Sequence, residues 1–512
     1  MHRRSGRVLP ARRGSHAAAY AFVLGTLAAC GGEASRTNGG TPTESGRRGG
    51  DAGTTAPKPD DNDAREPLPD RAGGDAGESA VTGPDAAADA DRPALDPTTS
   101  ALSERFPLGV ASGDALPGGA LLWARYTGSD PLELAVWPVR ADGRLGAEAF
   151  RASVPSGDFG YVGVEVDGLR AATTYRYAFF ETDGAGTKRR SAVGRFRTAL
   201  AEDALDVVRV GALSCTKNVD TMPVLVTAGR RDDLDAFLLL GDTSYNDGAS
   251  TLGEFREKWA RTLGSRGYVA LRSSTSLIAT WDDHEIDNNW NPETIPKDKR
   301  EAGTRAFFEA IPMRPTAPSR VWRSLRWGRT VEFFVLDSRG ERRPSSRRSE
   351  AAEYISPAQL AWLKAGLSAS PAVFKVILNS VPISNIPVPA EEQDRWEGFA
   401  SQRTEILSYI DAENIRGVLW VAGDFHVATA GRVSTSGAGQ NATELLVGPG
   451  AQTPTVVQNF LTGVMRAPQF DWNTSENNYA ELTFEPQSRS VRVRYVGADG
   501  NALAGSARTL RL

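Results

Sequence analysis

The strongest constraint on this chain is an alternation that begins after Thr198. Apolar runs at 207–213, 235–240, 276–280, 330–337, 374–379 and 416–422 have the length and continuity of buried strands. Helix-like stretches separate them at 251–262, 301–310, 357–368 and 399–411, and Ser356-Pro357 gives the third an N-cap and first-turn pair. Strands alternating with helices predict an α/β layered domain over 200–512. From Ala480 to Leu512 the chain returns to strand, with the runs AELTFEP and SVRVRYVG.

Four strand ends carry residues able to bind metal. Cys215 follows VVRVGALS, GDTSY (241–245) closes DAFLLL, WDDHEIDNN (281–289) is the third cluster and GDFH (423–426) the fourth. His284 and His426 are the two histidines beyond the first thirty residues, and both lie in these clusters. In open α/β sheets, ligands gather at the carboxyl ends of strands, so the four clusters are expected to converge. Each has a plainer alternative by itself. Asp242 could be a turn residue or helix cap, Tyr245 and Cys215 could pack in the core, and the acids of 282–287 could be solvated. Their joint placement favours chemistry.

A carboxylate such as Asp242 can bridge two cations, and two ions about 3.5–4 Å apart form a clamp for phosphoryl displacement. The anionic donors Cys215 and Tyr245 suit ferric iron, whereas the set Asp283, Asn288, Asn289, Asp424 and His426 suits calcium, manganese or magnesium. A hydroxide held between the ions is the expected nucleophile. His284 is placed to protonate the leaving group or to stabilise developing charge.

The first hundred residues carry a different message. Arg3, Arg4, Arg7, Arg12 and Arg13 precede an apolar stretch, Ala17–Ala29, that is too short for a stable membrane span. It ends in Leu27-Ala28-Ala29-Cys30, which matches a bacterial lipoprotein cleavage site with Cys30 lipidated; an ordinary secretory signal is the alternative. Residues 1–30 are therefore expected to be a signal peptide and the chain extracytoplasmic, lipid-anchored or secreted. From Gly31 to about Ser100 there is no aromatic residue and no isoleucine, so a disordered acidic tether is expected. With Cys30 committed to lipid, Cys215 has no internal disulfide partner and is a buried core residue or a ligand. The formal charge of −4 and the lack of a basic field argue against a nucleic-acid surface.

Residues 101–199 hold short alternating runs, among them ALLWARYT, LELAVWPV, YVGVEVDGL and TTYRYAFFET, broken by Gly, Asp and Pro clusters. They predict a small antiparallel, immunoglobulin-like sandwich.

The ordered motifs SC (214–215), GDTSY, WDDHEIDNNW (281–290), LDSRGERR (336–343) and GDFH resemble the alkaline phosphatase D family of metallophosphatases. FPLGVASGD (106–114), SPAQLAWLKAGL (356–367) and RWEGFASQR (395–403) also look like blocks of that family, which extends the likeness over 104–512. The resemblance implies a β-sheet sandwich flanked by helices and hydrolysis of phosphomonoesters and phosphodiesters at an iron and calcium centre. It places Cys215, Asp242 and Tyr245 on the iron side, with Asp242 bridging. Asp283, Asn289, Asp424 and His426 bind calcium or close the iron shell, and His284 is similar to the acid and phosphate-binding histidine of the wider superfamily. The choice among Asp282, Asp283, Asn288 and Asn289 stays open. Arg339 either holds phosphate oxygens through its guanidinium or forms a salt bridge to Asp337. Expected substrates are a phosphate-ester small molecule or an envelope polymer such as a phospholipid or teichoic-like chain. Two other classes remain: a binding lipoprotein that keeps the fold without catalysis, and a metal-dependent esterase of another bond.

Overall fold

The computed structural model describes residues 94–314, 316–386, 394–453 and 467–512, all within the unit Ala80–Leu512. The expected signal segment, Cys30 and the tether as far as residue 93 lie outside the described residues.

Two sheets carry the α/β architecture. One has nine strands in the order Arg508–Arg511, Ser490–Gly497, Asn478–Glu485, Val208–Leu213, Ala236–Leu240, Ser276–Thr280, Val110–Leu116, Gly119–Arg125 and Tyr161–Val166. The other has seven: Arg323–Trp327, Val331–Val335, Phe374–Leu378, Val418–Ala422, Thr443–Leu446, Ala428–Arg432 and Phe470–Thr474. Each has a parallel centre, formed by Val208–Leu213, Ala236–Leu240 and Ser276–Thr280 in the first and by Val331–Val335, Phe374–Leu378, Val418–Ala422 and Thr443–Leu446 in the second. The six apolar runs all fall here. Ala236–Leu240, Ser276–Thr280, Phe374–Leu378 and Val418–Ala422 are buried along their whole length, which explains continuous rather than alternating hydrophobicity.

Successive side chains on these strands face opposite ways. Val210, Leu238 and Ile278 meet Phe333, Val376 and Val421 in a core between the sheets. Phe237, Leu239 and Leu277 pack outward with Trp259, Tyr268 and Phe307, and Phe334, Ile377 and Trp420 pack outward with Leu363, Ile406 and Leu407. The arrangement is a sandwich of two sheets with helices on its outer faces. The four expected helices are present as Leu252–Leu263, Lys297–Ala310, Pro357–Ala369 and Ala400–Ala412, and Ser356 caps the third by accepting from the Gln359 N–H. Two more, Pro223–Gly229 and Arg266–Ser274, are too short for their periodicity to stand out.

The segment 101–199 is all-β as expected, but its strands do not close on themselves. Leu132–Pro138, Phe150–Val154, Thr174–Thr182, Lys188–Arg190 and Gly194–Arg197 form a separate sheet with Ala101–Leu102. Val110–Leu116, Gly119–Arg125 and Tyr161–Val166 instead extend the nine-stranded sheet, through parallel pairing of Ser112 with Ser276 and Gly113 with Leu277. Gly113 also lets a further segment approach this strand, since a Cβ there would lie 1.7 Å from the Pro312 carbonyl oxygen. Leu134, Phe179, Leu122 and Val210 consequently share one hydrophobic core, which runs from this segment into the α/β sheets.

Candidate metal centre

The parallel strands deliver their C-terminal ends to one place. Cys215 lies two residues beyond Val208–Leu213, Asp242 two beyond Ala236–Leu240, Asp282 and Asp283 just after Ser276–Thr280, and Asp424 two beyond Val418–Ala422. The ladders end almost level, at Leu213↔Leu239 and Leu240↔Thr280. Cys215, Asp242, Asn289, Asp424 and His426 all adopt left-handed backbone conformations, with φ of 55°, 55°, 51°, 69° and 52°. Such residues are uncommon outside glycine and each stores about 1–3 kcal/mol, so their concentration at these strand ends marks a site.

Donor atoms of Cys215, Asp242 and His426 lie within 4.8 Å of one another, and so do those of Asp242, Asp283 and His284. Asp242 belongs to both groups. The Tyr245 hydroxyl is 3.3 Å from Asp242 Oδ2, and the Asn289 N–H donates to Asp283 Oδ2 at 2.6 Å. Asp424 stands beside the same cluster, close enough for its charge to raise the Cys215 thiol. The structure therefore brings Cys215, Asp242, Tyr245, Asp283, Asp424 and His426 together, reaches Asn289 through its backbone N–H, and leaves Asn288 exposed. It places His426 with Cys215 rather than with the oxygen donors.

The electrostatics of the cluster fit a cation. Burial pushes the carboxyls of Asp242 and Asp424 well above the usual range, and burial followed by the charge of Asp242 does the same to the Cys215 thiol and the Tyr245 phenol. Burial lowers His426 to about 4, which keeps its imidazole neutral, the form that ligates metal. Asp242 Oδ1, Asp282 Oδ2 and His426 Nδ1 are buried without a hydrogen-bond partner among the described residues. Orphaned acceptors gathered beside shared carboxylates are costly unless positive charge completes them. The donor set thus suits metal ions.

His284 is held from its far side. Its Nδ1 contacts both carboxylate oxygens of Asp247, at 2.8 and 2.9 Å, and its ring packs on Tyr245 with centroids 4.0 Å apart. Burial alone would lower its basicity, but Asp283, Asp242 and Asp247 together hold it well above the ordinary range.

Arg339 is the exception among the sequence candidates. It is completely buried, donates from Nε to Asp282 Oδ1 at 2.8 Å and ion-pairs with Asp394. Asp337 is not its salt-bridge partner: Asp337 Oδ1 accepts the Trp281 indole at 2.7 Å and the backbone N–H groups of Arg339 and Gly340 at 3.1 and 2.7 Å. The guanidinium holds Asp282, whose second oxygen is one of the orphans, while its own Nη2 makes no hydrogen bond among the described residues.

Three residues that the sequence does not single out shape the site: Asp247, Asp394 and Glu285. Burial lifts Glu285 to about 7 against the pull of the N–H groups of Asp282 and Thr243. Asp247 and Glu285 both lie in or beside the metal-binding motifs, but adjacency in an acidic loop gives no sign of which acid turns inward.

Comparison with known proteins agrees with this geometry. The model of the PhoD-like phosphatase family matches residues 210–497, and that of the PhoD-like phosphatase N-terminal domain matches residues 90–200. Alkaline phosphatase D of Bacillus subtilis (strain 168) is 26% identical over 388 residues, which cover 64% of this chain and 65% of that protein, just under two thirds of its length. The solved structure of PhoD matches with a TM-score of 0.67 at 21% identity, over 80% of this chain and 90% of that one. A purple acid phosphatase from yellow lupin (Lupinus luteus) seeds matches with a TM-score of 0.58 at 13% identity, over 79% of this chain and 73% of that one. At these identities the structural likenesses establish the fold, and the family models reach further. The chain belongs to the PhoD-like phosphatase family.

Proposed function

We propose that this chain hydrolyses phosphate esters, monoesters, diesters or both, at a centre of two or more metal ions. The observation that carries the reading is the sharing of Asp242 between two buried donor groups. Cys215, Tyr245, Asp242 and His426 offer sulfur, phenolate, carboxylate and imidazole, a set that favours ferric iron. Asp242, Asp283, Asn289 and Asp424 offer oxygen donors that favour calcium, with manganese or magnesium as substitutes. Bound ions supply Lewis-acid activation of water and neutralise charge on the phosphoryl oxygens.

The protein's own part is positioning and proton transfer. Asp247 fixes the His284 ring through Nδ1 and favours its protonated state, which leaves the other ring nitrogen to donate to a leaving-group oxygen. Tyr245 stacks against that ring and limits its rotation. Arg339 compensates Asp282 so that the acidic cluster is not wholly self-repelling.

The test is phosphate release by the full chain from an aryl monoester and an aryl diester, before and after exhaustive chelation. Turnover lost on chelation and restored by iron with calcium is expected. Undiminished turnover from metal-free protein would contradict the proposal.

We also propose export and anchoring through lipidated Cys30, supported by the arginines, the apolar stretch and the Leu27-Ala28-Ala29-Cys30 sequence. The substrate would then be an envelope phosphate ester, either a small molecule or a phospholipid or teichoic-like polymer. Cys30→Ser should move the protein from the membrane fraction to the soluble one, and unchanged fractionation would contradict anchoring.

A further inference from the structure

The ladder between Ala236–Leu240 and Ser276–Thr280 ends at the pair Leu240↔Thr280. Beyond it the two segments separate to carry Asp242 on one side and Asp282 with Asp283 on the other. Three backbone N–H groups are released there, those of Asp242, Thr243 and Asp282. All three donate to the carboxyl group of Glu285, at 3.2, 2.6 and 2.9 Å. Glu285 has no exposed surface, so one side chain takes over the next rung of the sheet for groups that water cannot reach. The two loops also touch directly: a Cβ on Gly241, where φ is +86°, would fall 2.5 Å from the Cβ of Asp282.

We propose that Glu285 is a positioning residue that sets the separation of Asp242 from Asp283, and with it whether the second metal ion binds. This rests on the two-ion reading of the site. Of the two groups, only the one that contains Asp242 and Asp283 joins residues from both loops that Glu285 holds, and those two carboxylates are its metal donors while His284 beside them is the acid; the other joins Asp242 to Cys215 and His426. A shift between the loops therefore disrupts the second group while leaving the first with its three donors. Both Glu285 oxygens act as acceptors. A glutamine in either orientation turns an NH2 group towards at least one of the three N–H donors, and so drives apart what the acid draws together.

The experiment titrates Mn2+ alone into metal-free full-length protein, wild type and Glu285→Gln. It reads ion binding by calorimetry and the spin coupling of an ion pair by electron paramagnetic resonance, with circular dichroism as a check on folding. Wild type is expected to take two ions and show a coupled pair. Glu285→Gln is expected to keep the first ion within about threefold, weaken the second by about tenfold or more, and lose the coupled signal. A merely structural role would lower the melting temperature and leave both affinities and the coupling unchanged, which overturns the proposal. Should Glu285→Gln not fold, Glu285→Asp keeps the acid one methylene back and is expected to weaken the second ion by a smaller factor; wild-type affinities in that variant overturn the proposal equally. A wild-type protein that takes fewer than two ions contradicts the two-ion reading itself, and this inference falls with it.

Discussion

Nδ1 of His284 lies 2.8 Å from Oδ1 and 2.9 Å from Oδ2 of Asp247, and the same Oδ1 accepts the Asn288 N–H at 2.7 Å. One carboxylate thus fixes both the ring and the loop that follows it. Asp247→Asn replaces one acceptor with a donor and loosens the ring's orientation. It should lower kcat/KM by about 10–100-fold, mainly through kcat, because a partner behind a functional side chain typically contributes that much. The Asp247 side chain is 37% exposed, so the melting temperature should change little. A rise in KM at unchanged kcat would contradict the role assigned to the pair.

Arg339→Met tests whether that residue serves Asp282 or the substrate. Asp394 keeps Arg342 as a partner at 2.7 Å, but Asp282 is left with the Ser380 hydroxyl at 3.2 Å. A buried carboxylate stripped of its cation costs about 3–5 kcal/mol, to be read as a loss of stability in urea denaturation. Unchanged stability with a raised KM for phosphate esters would instead restore the phosphate-binding role.

The loop that carries Tyr245 and Asp247 runs into the helix Leu252–Leu263 through a capping box. Thr251 Oγ1 accepts the Glu254 N–H at 3.3 Å, while Glu254 Oε2 accepts the Ser250 and Thr251 N–H groups at 2.8 and 3.0 Å. Thr251→Ala should cost about 1 kcal/mol of stability. The Ser250 N–H, followed by that of Thr251, pulls the Glu254 carboxyl down from 4.5 to about 2. A depressed carboxyl contributes stability above its unfolded value and loses it as pH falls towards the folded one. The gap in melting temperature between wild type and Glu254→Gln should therefore narrow from pH 5 to pH 3, and a constant gap would contradict the capping interaction.

What the sequence discloses follows from which signals are local. Strands buried on both faces announce themselves as unbroken apolar runs, and residues two to four positions past their ends share one edge of a parallel sheet. Cys215, Asp242, Asp283 and His426 are legible in that way from the order of residues alone, and the fold brings their donor atoms together. The function of Arg339 is not, because its partners Asp282 and Asp394 lie 57 and 55 residues away and nothing in their own segments points to it. Pairing of Val110–Leu116 with Ser276–Thr280 is hidden for the same reason: alternation shows that a strand exists, not which sheet receives it. Glu285 does not stand out because three of its neighbours are also acidic, and only the fold shows which one meets three N–H groups.

The central claim is that Asp242 joins two metal ions into one hydrolytic centre. Metal content per chain and phosphate release, measured together on wild type and Asp242→Asn, test it most directly. Wild type is expected to hold at least two ions, and the variant to lose bound metal and to fall in turnover on the order of a thousandfold, about 4 kcal/mol of transition-state stabilisation. An Asp242→Asn protein with wild-type metal content and wild-type turnover would contradict it.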